Sequence, residues 1–341
     1  MWIEALVAVA ALLLSFTLTG MLRSRALSQG VGLDVPNERS SHTVPTPRGG
    51  GIAIVVAASA GFAVMAACNL LSPVLFLVLV IGGSAIAAVG FFDDRRHLSA
   101  RTRLAVHFAV ALCALIALGG LPSLRMADDV VLLDGVGYPL GVLGIVWTIN
   151  LFNFMDGIDG IAASESICVA WGGAVLAVIA GVSADVSAAG FIFGAACCGF
   201  LLWNWAPAKI FMGDVGSGYM GYVIAILAIA TARENPIALY LWAMLGGIFF
   251  VDATLTLVRR LLRRERVYEA HRSHAYQWLA RRWASHRRVT LVVIGVNLFW
   301  LLPCALLAQS HPESAVTILL AAFAPLVVAA VAAGAGRAES R

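Results

Sequence analysis

Residues 73–96 read PVLFLVLVIGGSAIAAVGFFDDRR. From Pro73 to Phe92 nothing is charged, and a helix of about 20 apolar residues is what crosses roughly 30 Å of hydrocarbon. Four charged residues, Asp93, Asp94, Arg95 and Arg96, then arrive together. An apolar run closed by a charged cluster reads as one membrane span stopping at an interface. The pattern recurs along the chain. Further runs lie at 2–21, 50–68, 104–121, 138–155, 164–182, 187–205, 217–232, 238–258, 289–309 and 314–335, so an all-α polytopic membrane protein of about 10–11 transmembrane helices is expected. The runs at 138–155 and 217–232 are short enough to be tilted, broken or partly re-entrant. Composition agrees: the 341 residues are 61% hydrophobic and 12% charged, with mean hydropathy +0.90, which excludes a water-soluble globular domain.

The basic residues orient the chain. With an outside N-terminus, all but Arg125 and Arg233 of the 23 Lys and Arg residues fall on cytoplasmic connections, as the positive-inside rule requires. The net charge of +4 is therefore a topological signal and an attraction to anionic lipid or phosphate, and no nucleic-acid motif is present. The first span lacks a basic n-region and reads as a retained helix in a single integral-membrane domain, 1–341. The six cysteines lack metal-ligand spacing and read as small core residues.

In so apolar a chain, ionisable residues are informative. Asp93, Asp94, Asp156, Asp159, Asp214, His271 and His274 lie in four separate loops, and the topology sends all of them to the cytoplasmic face. Asp93 and Asp94 are adjacent like charges, tolerable at an interface when a cation shares them; the alternative is a solvated loop with its own arginines. Asn150, Asn153, Asp156 and Asp159 recur every three residues in NLFNFMDGIDG, which would form one polar stripe, and Gly157 and Gly160 would let a ligand approach closely. In NWAPAKIFMGDVGSG, which runs from Asn204 to Gly218, three glycines surround Asp214 with Lys209 five residues upstream. That suits amides and an ammonium facing phosphate while Asp214 holds a hard cation. Residues 259–288 hold ten arginines and the segment His271-Arg272-Ser273-His274, where a lipid-contacting topology anchor is the plainer alternative. The Pro/Gly-rich loop after the first span offers Arg39, His42 and Arg48 to an anion.

Taken together, these motifs resemble the polyprenyl-phosphate N-acetylhexosamine-1-phosphate transferase superfamily, glycosyltransferase family 4. The resemblance covers residues 34–277. PTPRGGG, which runs from Pro45 to Gly51, and the His271–His274 segment look most like the O-antigen-initiating branch. Three successive histidines, typical of the peptidoglycan phospho-N-acetylmuramoyl-pentapeptide translocases, are missing.

The resemblance implies a magnesium ion, with manganese as an alternative, held by Asp214. Asp93 and Asp94 would assist the attacking lipid phosphate or the metal, while Asn153, Asp156 and Asp159 would position a UDP-N-acetylhexosamine. His271, Arg272 and His274 would contact the diphosphate or sugar, and Asn150, Asn204, Lys209 and Arg48 complete the substrate-binding set. It further implies undecaprenyl phosphate as acceptor, a bacterial inner-membrane location with a cytoplasmic active site, a role at the start of lipid-linked O-antigen or surface-polysaccharide synthesis, and a homodimer as one oligomeric option. Competing readings are a translocase-type enzyme, a phosphotransferase acting on a diacylglycerol-type acceptor, and an ion-coupled transporter. A transporter should hold its acids near the bilayer midplane, not at one face.

Overall fold

A computed structural model describes residues 2–30, 32–34, 44–96, 98–126, 129–265 and 271–337. Of the anion-facing residues expected in the first loop, Arg39 and His42 lie outside these. The chain is an all-α polytopic membrane protein. Its helices are α1 (Trp2–Gln29), α2 (Gly51–Ala67), α3 (Pro73–Arg96), α4 (Ala100–Ala117), α5 (Gly137–Met155), α6 (Ile161–Ile179), α7 (Ala184–Asn204), α8 (Asp214–Ala232), α9 (Ala238–Leu245), α10 (Gly247–Leu262), α11 (Ala275–Trp283), α12 (His286–Ser310) and α13 (Pro312–Ala333).

Among the described residues nine helices are long and apolar enough to span, and α9 with α10 makes a tenth if the pair is one span. The apolar α2 is shorter, at 17 residues. Each of the eleven expected runs thus has a helical counterpart. The expected irregularity sits elsewhere. The runs at 138–155 and 217–232 become unbroken helices of 19 residues, whereas the run at 238–258 bends by 78° at Gly246, where α9 gives way to α10. Two short antiparallel pairs, Leu33–Asp34 with Thr46–Pro47 and Leu124–Met126 with Asp129–Val131, are the extended structure among the described residues.

Helix starts follow capping chemistry. Ser72, Ser99 and Ser285 accept hydrogen bonds from the backbone N–H groups of Leu75, Thr102 and Arg288, satisfying donors that a first turn leaves open. α8 is the central post, its span wholly buried, packed against α2, α3, α5, α6 and α7. Tyr219 and Tyr222 project from it and are fully buried. A π-helical turn over Val78–Gly82 presents the Val78 carbonyl, which accepts the Tyr222 hydroxyl at 2.9 Å. Gly82 is required there, since a Cβ would stand 2.0 Å from Tyr222 Oη. Because α8 is held from several sides, the position of its first residue, Asp214, is set by the whole bundle.

Candidate active site

α3 ends and α8 begins in contact. A Cβ on Gly90 would lie 2.4 Å from the Asp214 carbonyl oxygen, so the absent side chain is what lets the end of α3 meet the start of α8. Asp94 then accepts the N–H groups of Asp214 at 3.1 Å and Val215 at 3.4 Å. It caps α8 from another helix, at the positive end of that helix dipole. Gly213 makes the turn with φ +77°, and a Cβ there would meet Asp94 Oδ2 at 2.5 Å.

Two arginines stitch the acids together. Arg48 Nη2 lies 2.8 Å from Asp94 Oδ1 and 2.9 Å from Asp214 Oδ1. Arg103, on α4, bonds Asp93 and stands 3.6 Å from Asp214 Oδ2. Arg48 is placed by backbone bonds of its own segment: Phe211 N–H donates to the Pro47 carbonyl at 2.7 Å, and Gly50 N–H to the Phe211 carbonyl at 2.9 Å. Residues 166 positions apart in the chain therefore share one ion-pair network.

The expected stripe divides. α5 stops at Met155, and Asp156 leaves helical geometry with ψ +53°. Asn150 donates to the Val146 carbonyl at 2.7 Å, and Asn153 to Ser217 Oγ on α8 at 3.2 Å. Both line a cavity of ≈ 50 Å³ together with Asp93, Arg103, His107 and Asp214. Burial, reinforced by the charge of Asp214, pushes the Asp156 carboxyl well above the usual carboxylate range.

Asp159 points into different company. Its carboxylate accepts Ala208 N–H at 3.1 Å and lies 3.3 Å from His286 Nδ1. Asn204, buried, accepts Gly160 N–H at 3.0 Å and donates to the Ile210 carbonyl at 2.9 Å. These two residues brace the 205–210 loop against the start of α6. The Lys209 ammonium lies 5.5 Å from the centroid of the Trp203 ring, and among the described residues it has no carboxylate within ion-pair distance.

A second cluster faces the segment after α5. His274 is buried, its Nδ1 3.4 Å from Asp252 Oδ1, and its ring stacks near those of Phe154 and Tyr276. The His271 ring centroid is 4.9 Å away. Burial, then the charges of His274 and Arg260, lower the His271 pKa to about 4, so its imidazole is neutral at pH 7. Arg272 keeps a buried Nη2 without a hydrogen-bond partner among the described residues. Tyr276 Oη donates to the Phe154 carbonyl at 3.0 Å, and a Cβ on Gly157 would stand 2.1 Å from that oxygen.

Asp252 organises this cluster and escaped the sequence reading. Its two oxygens accept Ala275 N–H at 2.8 Å, Tyr276 N–H at 3.0 Å and the Thr256 hydroxyl at 3.2 Å, capping α11. The available signal was a lone acid inside the apolar run 238–258. Arg103 was also missed as a site residue, having counted only toward orientation, and His107 was hidden inside the 104–121 run.

The donors fit a hard cation in kind. Asp93, Asp94 and Asp214 present several carboxylate oxygens in one place, and oxygen is what magnesium prefers. The arginines now hold those oxygens, and among the described residues no three His, Cys, Asp or Glu side chains group closely enough to enclose a metal by themselves.

A model of "Glycosyl transferase family 4" matches residues 76–232. A probable undecaprenyl-phosphate N-acetylglucosaminyl 1-phosphate transferase of Bacillus subtilis is 29% identical over 86% of this chain and 81% of its own length. A decaprenyl-phosphate N-acetylglucosaminephosphotransferase of Mycobacterium tuberculosis is 30% identical over 96% of this chain and 87% of its own. A phospho-N-acetylmuramoyl-pentapeptide-transferase of Neisseria meningitidis is 29% identical over 63% and 66%.

Proposed function

This chain belongs to glycosyl transferase family 4, the polyprenyl-phosphate glycosyl-1-phosphate transferases, and from that premise we propose that it moves N-acetylhexosamine-1-phosphate from a UDP-sugar to undecaprenyl phosphate at the cytoplasmic face of a bacterial inner membrane. The product would start a lipid-linked surface polysaccharide such as O-antigen. The observation that carries the reading is the single network of Asp93, Asp94, Asp214, Arg48 and Arg103 beside Asn150, Asn153 and Asp156. Greater coverage by the N-acetylglucosamine-1-phosphate transferases than by the pentapeptide transferase, together with the His271–His274 spacing, supports this branch over a translocase.

In the proposed reaction an oxygen of the lipid phosphate attacks the phosphorus that bears the sugar. One anhydride forms as the bond to UMP breaks, and UMP leaves with the electron pair; the sugar–phosphate bond stays intact. The lipid phosphate is already largely a dianion at neutral pH, its second pKa being about 6, so Asp93 and Asp94 have little proton to remove and act by position and charge. Asp214, with Asp93 and Asp94 beside it, would hold magnesium, which when bound offsets the repulsion between the two phosphates. Arg48 and Arg103, released from part of their carboxylate contacts, would face the phosphate oxygens. Asn153 and Asp156 would orient the nucleotide-sugar, and Arg272, His274 and the neutral His271 would donate hydrogen bonds to the diphosphate or sugar.

UMP release by purified protein, with undecaprenyl phosphate and a panel of UDP-hexosamines across a magnesium titration, tests the reaction. Release that needs the lipid, one sugar and the metal is expected. No release with any sugar, or release indifferent to chelator, would sink it. Labelling of a Ser99→Cys variant tests the orientation. Ser99 is exposed near the acidic end of α3, and its modification from the periplasm would overturn the cytoplasmic assignment.

A further inference from the structure

Four of the basic side chains near the acidic end of the bundle divide by what they touch. Arg48 and Arg103 are paired with carboxylates, so most of their charge is offset within the protein. Arg23 and Lys209 meet an aromatic ring instead: the guanidinium carbon is 5.8 Å and the ammonium 5.5 Å from the Trp203 centroid. An indole holds a cation by its quadrupole without neutralising it. Both positive charges therefore remain available to an anion. Arg23 also keeps a buried Nε with no hydrogen-bond partner among the described residues.

The ring is held in place. Trp203 Nε1 donates to the Phe16 carbonyl at 3.0 Å, and the Phe16 ring stacks on it at 5.3 Å. Gly20 admits the indole edge closely, since a Cβ there would stand 2.9 Å from it. Arg23 comes about 32 Å along α1 at 1.5 Å per residue, one hydrocarbon thickness from the helix start. Apolar side chains beside the cations, Met21 at 61% and Leu202 at 60%, are exposed, as the surface under an acyl chain would be.

We propose that Arg23, Trp203 and Lys209 form a binding site for the phosphodiester headgroup of an anionic phospholipid, separate from the carboxylate cluster. The charges favour a phosphate, and the exposed apolar surface of α1 and α7 favours one that carries acyl chains over a free ion. A bound headgroup would act on the catalytic loop through backbone. Lys209 N–H donates to the Trp203 carbonyl at 2.9 Å, and two residues later Phe211 bonds Pro47 and Gly50 on either side of Arg48. Anchoring Lys209 thus tethers one end of the strap that leads to Asp214.

The test uses full-length protein freed of endogenous lipid and measures retained lipid by native mass spectrometry, with phosphatidylglycerol as probe and phosphatidylcholine as control. Phosphatidylglycerol should be retained preferentially, and less so as salt rises. The Arg23→Gln, Lys209→Gln double variant should lose about twenty-five-fold in that preference, roughly fivefold for each charge near a membrane surface. The Arg23→Lys, Lys209→Arg variant should keep it. Displacement by inorganic phosphate alone would show a free-anion site, and displacement by undecaprenyl phosphate at equal concentration would assign the site to the acceptor lipid; either result overturns the phospholipid assignment. Equal retention by wild type and the double variant also overturns it. If the double variant does not fold, salt-insensitive retention by wild type decides against the proposal.

Discussion

The carboxylate cluster and the histidine cluster are built on opposite plans. In the first, acids stand at helix ends and are bridged by arginines from distant segments, so charge meets charge at the rim of the bundle. In the second, one acid, Asp252, sits inside a helix among apolar neighbours and spends its oxygens on the backbone of α11. In the first cluster Asp94 also caps α8, but Asp93 and Asp214 meet arginine side chains, and those contacts can be exchanged for a cation or phosphate. The second cannot release its acid without uncapping a helix. Chemistry is expected from the first and placement from the second, and substitutions should separate the two.

The largest effect is expected at Asp214. Asn keeps the shape but lacks the charge that a magnesium ion needs. Asp214→Asn should lower UMP release by about a thousandfold or more, some 4 kcal/mol of transition-state stabilisation, and added magnesium should not restore it fully. Asp93→Asn and Asp159→Asn should cost less, because a neighbouring acid remains in the first case and the contacts are to Ala208 and His286 in the second. A tenth of wild-type turnover in Asp214→Asn would rule out direct ligation by that residue.

Next come the two glycines that admit each cluster's neighbour. In Gly90→Ala the new methyl meets backbone of Asp214 and Val215 at 2.4–2.5 Å, which cannot turn aside. A loss of about 1–3 kcal/mol in stability is expected from such overpacking, and activity should fall with it. In Gly157→Ala the obstacle is the tip of a side chain, Tyr276 Oη. Adding Tyr276→Phe should therefore restore part of the activity lost by Gly157→Ala, although nothing comparable rescues Gly90→Ala. Absence of any rescue would mean that Gly157 serves through backbone conformation and not through clearance.

Asp252→Asn should act on placement. An amide nitrogen would replace one carboxylate oxygen opposite a backbone N–H, leaving a buried donor unpaired at a cost of about 1–3 kcal/mol. Faster hydrogen exchange at the first amides of α11, and a Michaelis constant that rises more than turnover falls, are expected. A turnover loss matching that of Asp214→Asn would erase the distinction between the clusters.

How much was legible follows from the same contrast. Spans were legible because hydrocarbon thickness sets the length of an apolar run, and the site acids because they stand at the ends of otherwise uncharged runs. The break at Gly246 was not, since a glycine in an apolar run reads the same whether the helix bends or continues. The three-residue spacing holds for Asn150 and Asn153, which share α5 and line one cavity. It misled at Asp159, because the helix ends at Met155 and a period has no meaning beyond it. Lys209 illustrates the remaining gap: sequence proximity to Asp214 gave no hint that its ammonium would lie on Trp203. Asp252 was readable in principle, as an acid where none should be, but its backbone partners come from a segment more than twenty residues away.

The smallest effect is a pH dependence in the histidine cluster. The His271 pKa in the folded protein is about 4, below the value of about 6.5 for an unperturbed imidazole. Above pH 6.5 the ring is neutral in both folded and unfolded chains, and its contribution to stability is fully present. As pH falls from 6.5 toward 4 the unfolded chain takes up a proton that the folded chain does not, so this contribution is lost progressively. His271→Gln should therefore flatten the fall of melting temperature across that window and leave stability above pH 6.5 nearly unchanged. Thermal melts of the detergent-solubilised protein at half-unit pH steps measure this. A melting curve of the variant that falls with acid as steeply as wild type would mean that folding leaves the His271 pKa near 6.5, and the burial that is meant to keep it neutral would not operate.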